Sequence, residues 1–211
     1  MKTLFIVQLT QRSARLRSDP HFRHRSLQAI AACALVLATL AGSNAVWLSS
    51  KAILAQYLLG EAWRHSLASE NTVKPWSWAD VRTVAKLDIP SLGRTLIVLS
   101  DASGEAMAFG PGLVAGDPEL AATSTIVLGG HRDTHLAFLE HIQPGATFLL
   151  ENSKGEKFQY ILSEKRIVDT KRETIGISAL QPGLVLITCY PFKSLLTGGR
   201  QRLVVTARQA N

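Results

Sequence analysis

Cysteine is scarce in this sequence. Two residues, Cys33 and Cys189, are all that 211 positions provide, and a chain of this length buries a core without covalent staples, so a small disulfide scaffold is excluded. Glycine (15) and proline (8) are far below low-complexity levels, and with 46% hydrophobic and 18% charged residues the composition is that of a folded protein rather than a disordered one. A basic stripe with interleaved aromatics is also missing. Most of the net charge of +7 sits in residues 1–26, where Lys2, Arg12, Arg15, Arg17, Arg23 and Arg25 face the single Asp19. The remainder is nearly balanced, which argues against a nucleic-acid surface. No internal repeat is present.

Charge is absent altogether from Leu27 to Ser50. As a helix those positions would extend roughly 36 Å, enough for the ~30 Å hydrocarbon core of a bilayer. With the basic cluster on its N-terminal side, the positive-inside rule predicts a cytoplasmic tail at 1–26, a transmembrane anchor at 27–50 and everything from about Lys51 outside the cytoplasm. Trp47 and Lys51 suit the outer interface. The competing reading is a cleaved signal peptide ending in the small residues 41–45, and it gives the rest of the chain the same location. The short apolar run Leu4 to Leu9 has no assigned role.

Residues Lys51 to Glu70 repeat apolar positions near a 3.6-residue period and are expected to form a helical stalk, with the linker continuing to residue 78. Trp76 and Trp78 are expected to pack against the outer domain, membrane contact being the alternative. From residue 79 the pattern changes to short β-rich runs separated by Gly, Pro, Asn and Asp: 81–89, 95–100, 106–109, 124–128, 147–150, 157–168, 184–190 and 202–207. Asn152-Ser-Lys-Gly155 marks a hairpin between two of them. One short helix is expected near His135 to Ile142, with Asp133 as its N-cap. Many short strands with few crossover helices predict a mainly β fold, a mostly antiparallel closed barrel or sandwich of about eight strands with one or two short helices.

Three segments carry chemistry. Cys189 ends the apolar run Gly183-Leu-Val-Leu-Ile-Thr-Cys189, where a thiol at a sheet rim can ionise, whereas one in a core is inert; the structural reading, a small buried hydrophobe, stands beside the catalytic one. Ser124-Thr-Ile-Val-Leu-Gly-Gly-His131-Arg-Asp-Thr-His135 delivers His131 at a strand end, past a Gly129-Gly130 pair expected to permit a tight turn, where an imidazole can exchange protons near neutrality. His135 and His141 are expected on the surface. A zinc site is disfavoured, because the HExxH pattern needs a Glu where Arg132 stands. Thr197-Gly-Gly-Arg200-Gln-Arg202-Leu-Val-Val offers two arginines, either able to stabilise an oxyanion.

The order Gly-His-Arg-Asp-Thr-His, then Leu-Ile-Thr-Cys-Tyr-Pro-Phe (186–192), then Gly-Gly-X-X-Arg-Leu-Val-Val resembles the sortases, the cysteine transpeptidases of bacterial surfaces. More narrowly it is similar to the class GN sortases of Gram-negative bacteria. The segments Lys74-Pro-Trp-Ser-Trp78, Lys86-Leu-Asp-Ile-Pro-Ser-Leu-Gly93 and Ala108-Phe-Gly-Pro-Gly112 match as well. The family often carries Pro-Gly-Gly-Pro-Leu-Arg-Tyr where this chain has Thr-Gly-Gly-Arg-Gln-Arg-Leu.

The resemblance implies a closed barrel of about eight strands with Cys189 as nucleophile, His131 as acid or base and Arg202, which matches the family arginine by spacing better than Arg200, holding the substrate carbonyl. Thr188, Arg200 and Gly130 complete the implied substrate-binding set. Thr188 would shape the oxyanion site or contact substrate. The implied reaction cleaves a Leu-Pro-X-Thr-Gly-like sorting signal of a secreted protein between Thr and Gly and passes the acyl group to a surface amine or to water, with no metal or organic cofactor. The implied location is the inner membrane with the catalytic domain periplasmic. Two alternatives remain at this point: a cysteine acyltransferase acting on peptidoglycan, whose His-Gly and Gly-Cys-Arg pattern is absent around Cys189, and a non-catalytic tethered barrel with a structural Cys189.

Overall fold

The computed structural model describes residues 20–176, 181–194 and 198–210. The basic tail before residue 20, with the apolar run 4–9 inside it, and Thr197 of the glycine motif lie outside the described residues. The chain divides into two units, Met1–Ala52 and Ile53–Asn211, and one helix, α1 (Pro20–Ser69), contributes to both.

In the first unit large apolar side chains such as Leu27, Ile30, Leu35, Val36, Leu40 and Trp47 are exposed on all sides of the helix. The Lys51 ammonium lies 4.8 Å from the Trp47 ring centre. Among the described residues no helix is both long and apolar enough to cross a membrane.

In the second unit α1 does not behave as a stalk. Its residues Ala55, Leu59, Ala62, Trp63 and Ser66 recur at helical spacing and are all buried, Leu59 within a cluster formed with Ala79, Val81, Leu99 and Ala106. The apolar stripe needed a partner, and the start of the sheet supplies it. Ser66 Oγ, fully buried, lies 2.9 Å from Thr83 Oγ1 and accepts the Val73 N–H at 3.1 Å. Gln56 Nε2 donates to the Phe109 carbonyl at 2.7 Å. Glu70, at φ +53°, terminates the helix in the left-handed conformation common at helix ends. Trp76 packs edge-on against Phe109 at 5.4 Å, as expected, whereas Trp78 is 80% exposed.

The barrel strands are β1 (Thr83–Ile89), β2 (Arg94–Leu99), β3 (Gly112–Ala115), β4 (Thr125–Gly129), β5 (Thr147–Asn152), β6 (Lys157–Asp169), β7 (Gly183–Cys189) and β8 (Gln201–Gln209). They close in the order β1-β2-β3-β4-β7-β8-β6-β5. Pairing is antiparallel except at β2–β3 and β4–β7. Inside lie Leu87, Ile89, Phe148, Leu150, Tyr160 and Leu186, each with no exposed surface. Tyr160 donates its hydroxyl to the Ala121 carbonyl at 3.3 Å, and burial pushes its pKa up to about 12. The expected hairpin forms at Asn152, whose Oδ1 accepts from Lys154 N at 3.1 Å and Glu156 N at 2.9 Å.

Two sequence expectations fail locally. The run at 106–109 is a 3₁₀ turn, Ala106–Ala108, because Ser103 Oγ accepts the Ala106 N–H at 3.3 Å and its carbonyl accepts Met107 N–H at 2.9 Å. The strand comes after it, starting at Gly112, where a Cβ would stand 2.1 Å from the Asp101 carbonyl oxygen. The expected helix at 135–142 is a 3₁₀ turn, Ala137–Glu140, whose N-cap is Leu136 without a side-chain cap. Asp133 therefore does not cap it.

Candidate active site

Side chains along a strand alternate between faces, and here the two faces of β4, β7 and β8 have separate apolar clusters. Leu184 and Leu186 of β7, Ile126 and Leu128 of β4, and Leu203 and Val205 of β8 fill the barrel. Their neighbours Val185, Val127 and Val204 join Val168 in a second cluster, with Ile187 and Ile175 packed against it. That cluster lies on the outer face. The alternation carries Cys189, half-buried, onto this face two residues beyond Ile187, and Arg202 onto it two residues before Val204.

Cys189 and Arg202 are direct partners across the antiparallel ladder, which sets their Cβ atoms roughly 4.5–5.5 Å apart. Arg202 Nη1 donates to the Gly199 carbonyl at 2.6 Å and to the Gln201 carbonyl at 2.9 Å, so its guanidinium is held by the loop that leads into β8. Arg200 lies before the strand. Its carbonyl accepts Thr170 N at 3.1 Å and Thr170 Oγ1 at 2.9 Å, so what it contributes here is backbone.

His131 comes to the same end of the face through the parallel pairing of β4 with β7. Gly129 stands beside Ile187, and Gly130 N donates to the Ile187 carbonyl at 3.2 Å. The outward series Val127, Gly129, His131 then parallels Val185, Ile187, Cys189. The glycine pair serves close approach rather than a tight turn. A Cβ on Gly130 would meet Leu136 Cγ at 2.8 Å, and one on Gly129 would meet Val114 Cγ2 at 2.9 Å; Leu136 is fully buried in the space thus left. Thr188 points into the barrel, 2% exposed, and its hydroxyl donates to the Gly130 carbonyl at 2.7 Å. It braces the ends of β4 and β7 together and does not face the outer groove.

Two further residues flank the site. His135 is half-buried rather than a surface residue, with Nε2 3.3 Å from the Ala108 carbonyl. Burial lowers its pKa, and the positive charges of Arg94 and His131 act in the same direction, while the Ala108 bond opposes them. The i, i+4 spacing from His131 was the visible signal of this neighbourhood, and it does not by itself distinguish a pair of ligands from a packed pair. Arg132 Nη2 donates to the Ser194 carbonyl at 2.8 Å, joining the segment after His131 to the segment after Cys189. His141 is exposed, its Nε2 3.5 Å from Glu140 Oε2. Among the described residues no cluster of three or more His, Cys, Asp or Glu is placed to hold a metal.

A thiol, an imidazole and a guanidinium at one end of an apolar groove can perform acyl transfer on a peptide. A family model described as the Sortase domain matches residues 87–210. Solved structures with the same fold include sortase A from Listeria monocytogenes (TM-score 0.52, 16% identity, covering 61% of this chain and 88% of that one). A lid mutant of sortase A from Corynebacterium diphtheriae aligns over 75% of this chain and 95% of its own at TM-score 0.51 and 18% identity. The sortase D5 transpeptidase of Clostridium perfringens aligns over 61% and 79% at TM-score 0.50 and 18% identity. No curated protein sequence matches the chain.

Proposed function

The chain belongs to the sortase family of cysteine transpeptidases, and from that premise we propose that Cys189 is its nucleophile, His131 its acid and base, and Arg202 its oxyanion and carbonyl ligand. The observation that carries the assignment is the cross-strand pair of Cys189 and Arg202 on the outer face, at the end of an apolar groove.

In the proposed reaction the Cys189 thiolate attacks the Thr carbonyl of a Leu-Pro-X-Thr-Gly-like signal. Arg202, turning from the Gly199 and Gln201 carbonyls, stabilises the tetrahedral oxyanion. His131 protonates the departing Gly amine as the C–N bond breaks, leaving a thioester. An incoming amine or water, deprotonated by His131, then takes the acyl group and expels the Cys189 thiolate, leaving His131 protonated for the next cycle. A thiol ionises far more readily than a hydroxyl, so no buried carboxylate is required behind the imidazole.

We also propose that residues 27–50 anchor the chain in the inner membrane, with the basic tail cytoplasmic and the barrel periplasmic. The uncharged run and its one-sided basic flank support this, as do apolar side chains exposed all round the helix. The motif order around His131, Cys189 and Arg202 supports class GN.

Intact-mass spectrometry of the protein mixed with a panel of Leu-Pro-X-Thr-Gly-like peptides tests the chemistry. The expected result is an adduct equal to the peptide through Thr, released by hydroxylamine and absent in Cys189→Ala. A folded protein that forms no adduct with any peptide, and whose Cys189 resists a small alkylator, overturns the catalytic assignment.

A further inference from the structure

The face that bears Cys189 continues well beyond a five-residue signal. Outward positions follow Cys189 along β7 as Ile187, Val185 and Gly183, and follow Arg202 along β8 as Val204, Thr206 and Arg208, with Gly183 directly opposite Arg208. At about 3.3 Å per residue, that far end is about 20 Å from Cys189. On β6, Arg166 stands opposite Val204 and shares the outer face. A cavity of about 210 Å³ opens there beneath Ile175, lined by Thr125, Gly183, Val185 and both arginines.

Among the described residues, Arg166 and Arg208 are the only charged ones in that lining. Two carboxylates stand near it. Glu173 reaches Arg166 at 3.6 Å, and Glu164 is opposite Thr206 on β6, but neither lines the cavity, and among the described residues Arg208 pairs with no carboxylate.

Resting on the transpeptidase reading above, we infer that this cavity is a subsite for acidic side chains of the substrate, upstream of its sorting signal. The acyl half of the substrate stays attached to Cys189 while the amine half leaves, and in this inference the acyl half runs along the groove from Cys189 toward Gly183. An extended chain with its scissile Thr at Cys189 reaches Arg208 about six residues earlier, three before the first residue of a Leu-Pro-X-Thr signal. Guanidinium groups there select carboxylates, and the site acts on binding rather than on the chemical step.

The test uses whichever panel peptide acylates Cys189 in the full-length protein, made with two Glu, two Ala or two Lys centred about six residues before Thr. The expected KM is lower for the Glu peptide than for the Lys peptide by about two- to fivefold, the scale of exposed ion pairs. The expected kcat is unchanged, and 0.5 M salt should remove the difference. Arg208→Glu should invert the preference toward Lys, which loss of a merely structural residue would not do, and Arg166→Gln should weaken it. Equal KM values in the unaltered protein, or a preference indifferent to Arg208→Glu, overturn the inference and leave the transpeptidase reading intact. Failure of every peptide to acylate Cys189 overturns both.

Discussion

The two faces of β7 are built from alternate residues of one heptapeptide and have opposite fates. Leu184 and Leu186 are sealed among Leu128, Leu203 and Val205, while Val185 and Ile187 pack only with a thin outer layer and lead to a half-buried thiol. Both faces are apolar, so the strand reads as a continuous hydrophobic run, as a strand covered on both sides does. What covers the inner face is the rest of the barrel. On the outer side Val127, Val168, Val185 and Val204 are buried with Ile175 packed against them, and Ile187 and Cys189, toward the polar end, keep partly exposed surface that a ligand can cover.

The comparison can be broken most severely at the polar end of the outer face. Cys189→Ala should abolish thioester formation, and His131→Ala and Arg202→Ala should each lower turnover by about two or more orders of magnitude, while Arg200→Ala should leave it within about threefold. Full loss in Arg200→Ala with activity kept in Arg202→Ala would reverse the arginine assignment. Next come the apolar residues. Leu186→Ala should cost about 2–5 kcal/mol of stability in urea unfolding, as a fully buried leucine does. Ile187→Ala, one residue along, should cost clearly less and instead raise the peptide KM. Equal stability losses would mean that the outer face is core.

A smaller effect is expected where the two flanks of the site are tied. Arg132→Ala removes the bond to the Ser194 carbonyl and should lower kcat/KM by about three- to tenfold, a charge-assisted hydrogen bond's worth, with Arg132→Lys recovering part of it. The smallest effect concerns His135. Its folded pKa lies below the ordinary 6.5, so above that value it is neutral in both states and costs nothing. As pH falls from about 6.5 through the lowered value, the unfolded chain binds the proton first and stability is lost. His135→Gln should flatten this part of the Tm–pH curve, and an unchanged slope would show that His135 does not contribute.

Much of this was legible in the sequence because it rests on local signals. Seven of the expected β-runs overlap observed strands, and Asn152 with Gly155 forms the hairpin, since turn chemistry is encoded within a few residues. The placement of Cys189, His131 and Arg202 at strand ends could be read from the sequence. The misread segments depended on distant contacts. Ala-Met-Ala-Phe looks like a strand until Ser103 captures its N–H groups, and residues 53–69 look like a free stalk until β1 and β2 bury Leu59 and Ser66. The apolar run of β7 did not reveal that its outer residues line a groove ending at Arg166 and Arg208, because those arginines come from β6 and β8 and only pairing register brings them there.

The parallel contact of β4 with β7 also sets when the proposed catalytic residues come together. Thr188 and Gly130 are 58 residues apart, so although β8 follows β7 after a short connection, the chain must close a long loop before Cys189 meets the end of β4. Such a long-range contact slows folding, and an incompletely folded chain carries its thiol without His131 beside it. On the proposed reading, assembly of the barrel is itself a safety catch, released only when β4 and β7 have paired.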